Sequence, residues 1–292
     1  MNLRLKKVKK IRWILLNFQI WTILTDLSFT VFTMPYVFLT SGTISFLGLF
    51  EYFDIPSKFQ MFFVQMMFGV LSMSIIAIFE NRHSAISTIT FTVPKGFRKV
   101  LFYFFNLVFQ AISFSSYLLT DYDTEYYKII ILKTISPCPD PLFFKKSTHI
   151  ISMKPIIVAL AVLICLLVLA LQTGFFILHS IYHLVYAFNI SISRNTRQLQ
   201  KKFIISLLIQ VTIPFAIVGF PLGLSILTTF FGIQSQVLAC QTFLALGMHG
   251  FIASISFIIS HKEIRDYTMG LFWKAVRVNK KMSNVIDTSF VI

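Results

Sequence analysis

The chain has 292 residues, is 56% hydrophobic and carries a formal charge of +15. Its apolar residues fall in long runs over almost the whole length, which excludes a soluble globular domain and indicates a polytopic membrane protein. The basic excess does not mark a nucleic-acid binder, because the charges lie between apolar runs and not on one soluble domain.

The opening stretch MNLRLKKVKKIRWILLN holds Arg4, Lys6, Lys7, Lys9, Lys10 and Arg12 beside an apolar run, the pattern of a cytoplasmic membrane face. Six spans of about 20 residues or more follow, each long enough to cross roughly 30 Å of hydrocarbon. They are predicted at about 13–40, 60–79, 99–120, 155–188, 203–231 and 237–260. Runs of this length without strict alternation are helices, so the fold class is all-α, a transmembrane bundle over 1–265 with a cytoplasmic tail at 266–292. The segments 1–12, 80–99, 189–202 and 261–292 hold 20 of the 26 Lys and Arg. The positive-inside rule puts these segments in the cytoplasm, with both termini inside. The longest outer segment is then 121–154, which either covers an outer cavity or is a plain solvated loop.

Asp26 is the one acid within a span. A charge there is costly, so it faces other helices or water and is a functional candidate, with Asn17, Gln19, Thr22 and Thr25 near enough to build a polar network instead. FENRH (Phe79 to His83) ends the second span, and Glu80, Asn81 and Arg82 stand where a helix leaves the membrane. An acid–base pair there can hold one conformation against another, and ordinary interfacial charges are the plainer reading. His179 and His183 share a helix face, with no third metal ligand apparent nearby. TRQLQKKF (Thr196 to Phe203) places Arg197, Lys201 and Lys202 on one helix side, suited to a cytoplasmic partner, to anionic headgroups or to simple anchoring. Pro214 and Pro221, with Gly219 and Gly223 close by, are predicted to interrupt the fifth span and are hinge candidates. Three Cys are too few for a disulfide scaffold, and no zinc spacing, GxSxG, HExxH or Walker loop is present. Neither an enzyme nor a cofactor or metal is expected. The sequon Asn189-Ile190-Ser191 falls on the inner side, where glycosylation is not expected.

Taken together, these stretches resemble the nematode serpentine chemoreceptors of class H, seven-helix receptors held to couple to G proteins. The resemblance covers nearly the whole chain. It rests on LNFQIW (Leu16 to Trp21) with Asp26, FENR (Phe79 to Arg82), SPCPD (Ser136 to Asp140) and TRQLQKKF. It continues with Gln210 and Ile213-Pro214, then His249-Gly250, then HKEIR (His261 to Arg265). At the last site the family pattern is nearer HKPYR, from which Glu263 and Ile264 depart. The resemblance implies a plasma-membrane, multi-pass receptor that detects a small environmental chemical at an outer cavity and signals to a heterotrimeric G protein through its inner face. It makes Glu80, Asn81, Arg82, Arg197, Lys201 and Lys202 coupling candidates and Asn17, Asp26, Gln210 and His249 intramembrane polar candidates. It also implies that the basic opening is the first inner loop, so that the six spans correspond to helices two to seven and helix one is missing. No Cys lies near the outer end of the 60–79 span for the usual disulfide, and a Cys138–Cys240 bridge is a conceivable substitute. The rival readings are a transporter or channel subunit, which needs a polar pathway through several spans, and a truncated remnant that does not signal.

Overall fold

The computed structural model describes residues 2–38, 42–86, 93, 96–114, 123–134, 141–145, 148–151, 155–185, 194–231 and 235–260, with 265, 266, 268–270 and 273 beyond them. Helices dominate. They are α1 (Asn2–Leu27), α2 (Leu49–Tyr52), α3 (Ser57–His83), α4 (Phe97–Phe114), α5 (Thr124–Thr134), α6 (Pro155–Val185), α7 (Arg194–Phe230) and α8 (Gln236–Ser260). Four helical stretches among the described residues are long and apolar enough to cross a membrane: Trp13–Thr33, Ser57–His83, Ile156–His183 and Gln236–Ile259. Helices also stand at the two other expected spans, as α4 and α7.

α1 packs between α3 and α8, α3 packs on α4 and α6, and α7 lies along α6 and most extensively along α8. The main core forms where α1, α3, α6 and α7 meet, around Phe18, Ile76, Phe79, Phe176 and Leu207. The outward faces remain apolar, as in Ile20 and Leu24 of α1 or Phe251 and Ile255 of α8. That is the arrangement expected where lipid is the solvent.

The first span ends earlier than the predicted residue 40. α1 widens into a π-helical turn at Ser28–Thr33, and Met34 then takes a left-handed conformation with φ of 40°. The Thr33 hydroxyl donates to the Ser28 carbonyl at 2.7 Å, a five-residue reach that suits the wider turn. Pro35 follows Met34, and a residue before proline is disfavoured in the helical region, so the chain leaves the helix there. It continues as β1 (Pro35–Phe38) and β2 (Thr43–Phe46), an antiparallel hairpin, to which β3 (His149–Ile150) adds through Thr43 and Ile44. No strand was expected from the sequence. The segment 121–154 therefore contributes to a structured cap: β3 joins the sheet, while α5 and a 3₁₀ turn at Pro141–Phe144 pack Ile131 and Phe143 on Phe38. The Gln236 amide of α8 donates to the Val37 carbonyl at 2.8 Å and ties the sheet to the bundle.

α7 is helical from Arg194 to Phe230, through both Pro214 and Pro221. Proline within a membrane helix is tolerated when neighbours satisfy the backbone. The Thr242 hydroxyl of α8 also donates to the Pro221 carbonyl at 3.1 Å and so ties α8 to α7 at this point.

Gly48, at the exit of the hairpin, shows how tightly the cap is seated. Its N–H donates to the Thr33 carbonyl at 3.1 Å, and an added Cβ would stand 2.5 Å from the Phe32 carbonyl oxygen. Gly48→Ala is expected to lower stability by about 1–3 kcal/mol through overpacking against backbone. Gly174→Ala faces open space and should leave stability unchanged or slightly higher. Thermal unfolding in detergent compares the two, and equal midpoints for both variants would rule out the clash.

Candidate functional site

Beneath the sheet lies a cavity of about 400 Å³, within the usual range for small-molecule pockets. Its walls come from α3, α4, α6, α7 and α8, and Val37, Ile44 and Phe46 of the hairpin form its roof. At its deep end Phe29 meets Phe68 edge-on, with centroids 5.7 Å apart, and stacks on Phe243 at 5.8 Å. The lining is almost wholly apolar and contains no Asp, Glu, Lys, Arg or His among the described residues. Its polar atoms come chiefly from Gln65 and Gln110 on one side and from Ser225, Thr229 and Thr242 on the other. The second group is engaged internally: the Ser225 and Thr242 hydroxyls lie 2.7 Å apart, and Thr229 donates to the Ser225 carbonyl at 2.8 Å.

One helical turn farther from the sheet, α1 and α8 are locked together. The Asp26 carboxylate stands 2.8 Å from His249 Nδ1, and Oδ1 accepts the Gly250 N–H at 3.0 Å. Only glycine leaves room for this contact, since a Cβ at position 250 would lie 2.1 Å from Asp26 Oδ2. The His249 ring lies 5.9 Å from that of Phe68, so the lock touches the cavity floor. Asp26 and His249, two of the four polar candidates, are thus brought together. Gln19 extends the same seam by donating to Ser254, and Thr25 donates to the Trp21 carbonyl at 2.7 Å and reaches Met67 of α3 at 3.4 Å. Asn17 does not join this bundle network: it is exposed and accepts from Trp21 of its own helix at 3.2 Å. The side chain of Gln210 lies outside the described residues.

At the opposite end of the bundle Glu80 is 1% exposed and forms an ion pair with Lys99 of α4. Its carboxylate also accepts from Ser84 at 2.7 Å and from the Tyr103 hydroxyl at 3.3 Å. The cation that reaches Glu80 from another helix is therefore Lys99, three residues past the turn that opens α4. Asn81 is buried and Arg82 is half-buried beside it. His83, fully buried, sets Nε2 2.7 Å from His179 Nδ1, and His179 packs against His183 with centroids 4.7 Å apart. The first two nitrogens share a hydrogen bond, and the three rings form a cluster bridging α3 and α6. Among the described residues no group of three or more His, Cys, Asp or Glu is arranged to hold a metal.

Of the basic stretch before the fifth span, Lys202 is exposed and Lys201 half-buried, while the side chain of Arg197 lies outside the described residues. Cys240 carries a free, exposed thiol, and Cys138 lies outside the described residues. The HKEIR stretch is described only at Arg265, which donates to the Ile259 carbonyl at 3.3 Å. Sequence reasoning missed Lys99, Tyr103, His83, Gln65 and Gln110. Lys99 is visible in the sequence as one of several cations that follow the second span, but nothing there selects it over Arg98.

The model of the family described as serpentine type 7TM GPCR chemoreceptor Srh matches residues 5–274. Serpentine receptor class H-72 of Caenorhabditis elegans is 25% identical over 286 residues, which cover 96% of this chain and 79% of that relative. No solved structure matches. A bundle of apolar helices beneath a capped cavity, matched over nearly its whole length, makes this chain a multi-pass membrane protein with a chemosensory receptor role, and it belongs to the Srh family of serpentine seven-transmembrane chemoreceptors.

Proposed function

We propose that this chain detects a small environmental chemical in the cavity beneath the sheet and signals to a heterotrimeric G protein at the opposite end of the bundle. The observation that carries this reading is the Asp26–His249–Gly250 lock, set between the cavity floor and the rest of the α1–α8 seam. A ligand that moves Phe29 or Phe68 changes the packing directly above that lock, and packed interfaces respond by switching between discrete arrangements. Farther along, α3 carries the movement to the Glu80–Lys99 pair and to Asn81 and Arg82. In this reading α4 and α7 also cross the bilayer, giving six spans. The sheet faces outward and both termini face the cytoplasm of the plasma membrane, as the basic segments require. Arg82, Arg197, Lys201 and Lys202 then meet the G protein, and Pro214 and Pro221 are the places where α7 bends between states.

The test is a ligand-dependent G-protein reporter in cells that express the chain, screened with a broad panel of odorants. A response is expected from the parent. Ala159→Phe should abolish it by filling the cavity, because Ala159 is buried in the cavity wall. Arg82→Ala and Lys201→Ala should reduce it without lowering surface delivery. A response that survives Ala159→Phe would sink the cavity assignment. Silence of the parent across the panel, despite surface delivery, would sink the signalling role.

A further inference from the structure

Resting on that reading, we infer that the cavity selects an uncharged, mainly apolar molecule with a single carbonyl or hydroxyl group, and that the Gln110 carboxamide is the residue that recognises this group. Three observations converge. First, no acidic, basic or histidine side chain lies among the described lining residues, although such groups occur one turn deeper and at the far end. A carboxylate or ammonium entering this space would leave water without a counter-charge, which costs several powers of ten in affinity. Second, the hydroxyls on the α7–α8 side are occupied by one another and by backbone carbonyls. Third, the side-chain amide of Gln65 donates to the Gln110 backbone carbonyl at 2.8 Å, which pins α3 to α4 and sets the backbone of Gln110 at the wall.

The side chain of Gln110 itself is a different matter. Its carboxamide lies over Gly69, with the oxygen 3.2 Å from where a Cβ would stand, and its described hydrogen bond is through the backbone alone. A carboxamide offers both a donor and an acceptor, so it can take either a carbonyl or a hydroxyl. The absence of a side chain at Gly69 leaves the space in which that group lies. A cavity of about 400 Å³ has room for on the order of ten non-hydrogen atoms at roughly 30 Å³ each.

The experiment uses the full chain in lipid nanodiscs and five eight-carbon probes: 2-octanone, 1-octanol, octane, octanoate and octylammonium. Binding is read calorimetrically, and Ala159→Phe measures the part that is only partition into lipid. The ketone and alcohol should bind above that background, with the two ions about 100-fold weaker or worse. Gln110→Leu should weaken the ketone about tenfold relative to octane, since a buried polar group then lacks its partner. Gln110→Asn tests reach, and should lose less than the leucine variant. Equal binding of the ions, no probe binding above the Ala159→Phe background, or an unchanged ketone-to-octane ratio in Gln110→Leu would each overturn the inference. No G protein is present, so these results separate from the receptor reading. A chain that signals to charged odorants overturns the ligand class alone, and one that binds 2-octanone but never signals overturns the signalling role alone.

Discussion

Gly250→Ala should destabilise the bundle by about 3 kcal/mol, the sum of overpacking and the disturbed hydrogen bonds of the Asp26 carboxylate. The new methyl group would stand 2.1 Å from one Asp26 oxygen, and the same carboxylate is held by the Gly250 N–H and by His249. The side chain therefore cannot swing away without giving up both partners, inside a span where no water replaces them. The measurement is the thermal midpoint of purified protein in detergent, together with the fraction delivered to the cell surface. Asp26→Ala alone should cost less, about 1–2 kcal/mol, because it removes hydrogen bonds without forcing an atom into an occupied site. The double variant should then be more stable than Gly250→Ala, a coupling that a mutant cycle measures directly. A Gly250→Ala protein with the parent midpoint would remove the lock from the account.

The second large effect is expected at the other end. Lys99→Ala should cost about 3–5 kcal/mol, because it strands the Glu80 carboxylate, 1% exposed, without its cation. Glu80→Gln with Lys99→Met should recover much of that loss, since no buried charge is then left unpaired. The two variants also separate stability from signalling. If the pair restrains one state of the receptor, the recovered double variant should show raised basal G-protein activity despite near-parent stability. Parent-like basal activity in that variant would make the pair purely structural. Either single change tests a contact that the FENR stretch does not display, since the stretch names the acid and leaves its partner on another helix.

Much of the architecture is legible residue by residue. Helices stand over the runs expected at 13–40, 60–79, 155–188 and 237–260, with the first giving way to a π turn after Leu27 and the second continuing to His83. The difference at Thr33 arises from a local signal, Met34 before Pro35, that the long apolar run from Trp13 to Thr40 overrode in the reading of the sequence. The hairpin was hidden for the same reason: YVF and TISF are as apolar as a span, and only pairing in space makes them strands. Asp26 was visible as a costly charge, but its choice of His249 over the nearer Asn17 depends on how α1 is rotated against α8.

Composition and hydropathy by themselves determined that this is a helical membrane protein, since lipid leaves a chain this apolar few other ways to satisfy its backbone. The order of short motifs was enough to place it among class H chemoreceptors. The tertiary structure alone decided which polar groups meet. Asp26 and Gly250 are 224 positions apart, and Glu80 and Lys99 sit on different helices. Periodicity states which residues share a helix face, but not which neighbour that face meets, and it is those meetings that form the cavity, its roof and the two locks.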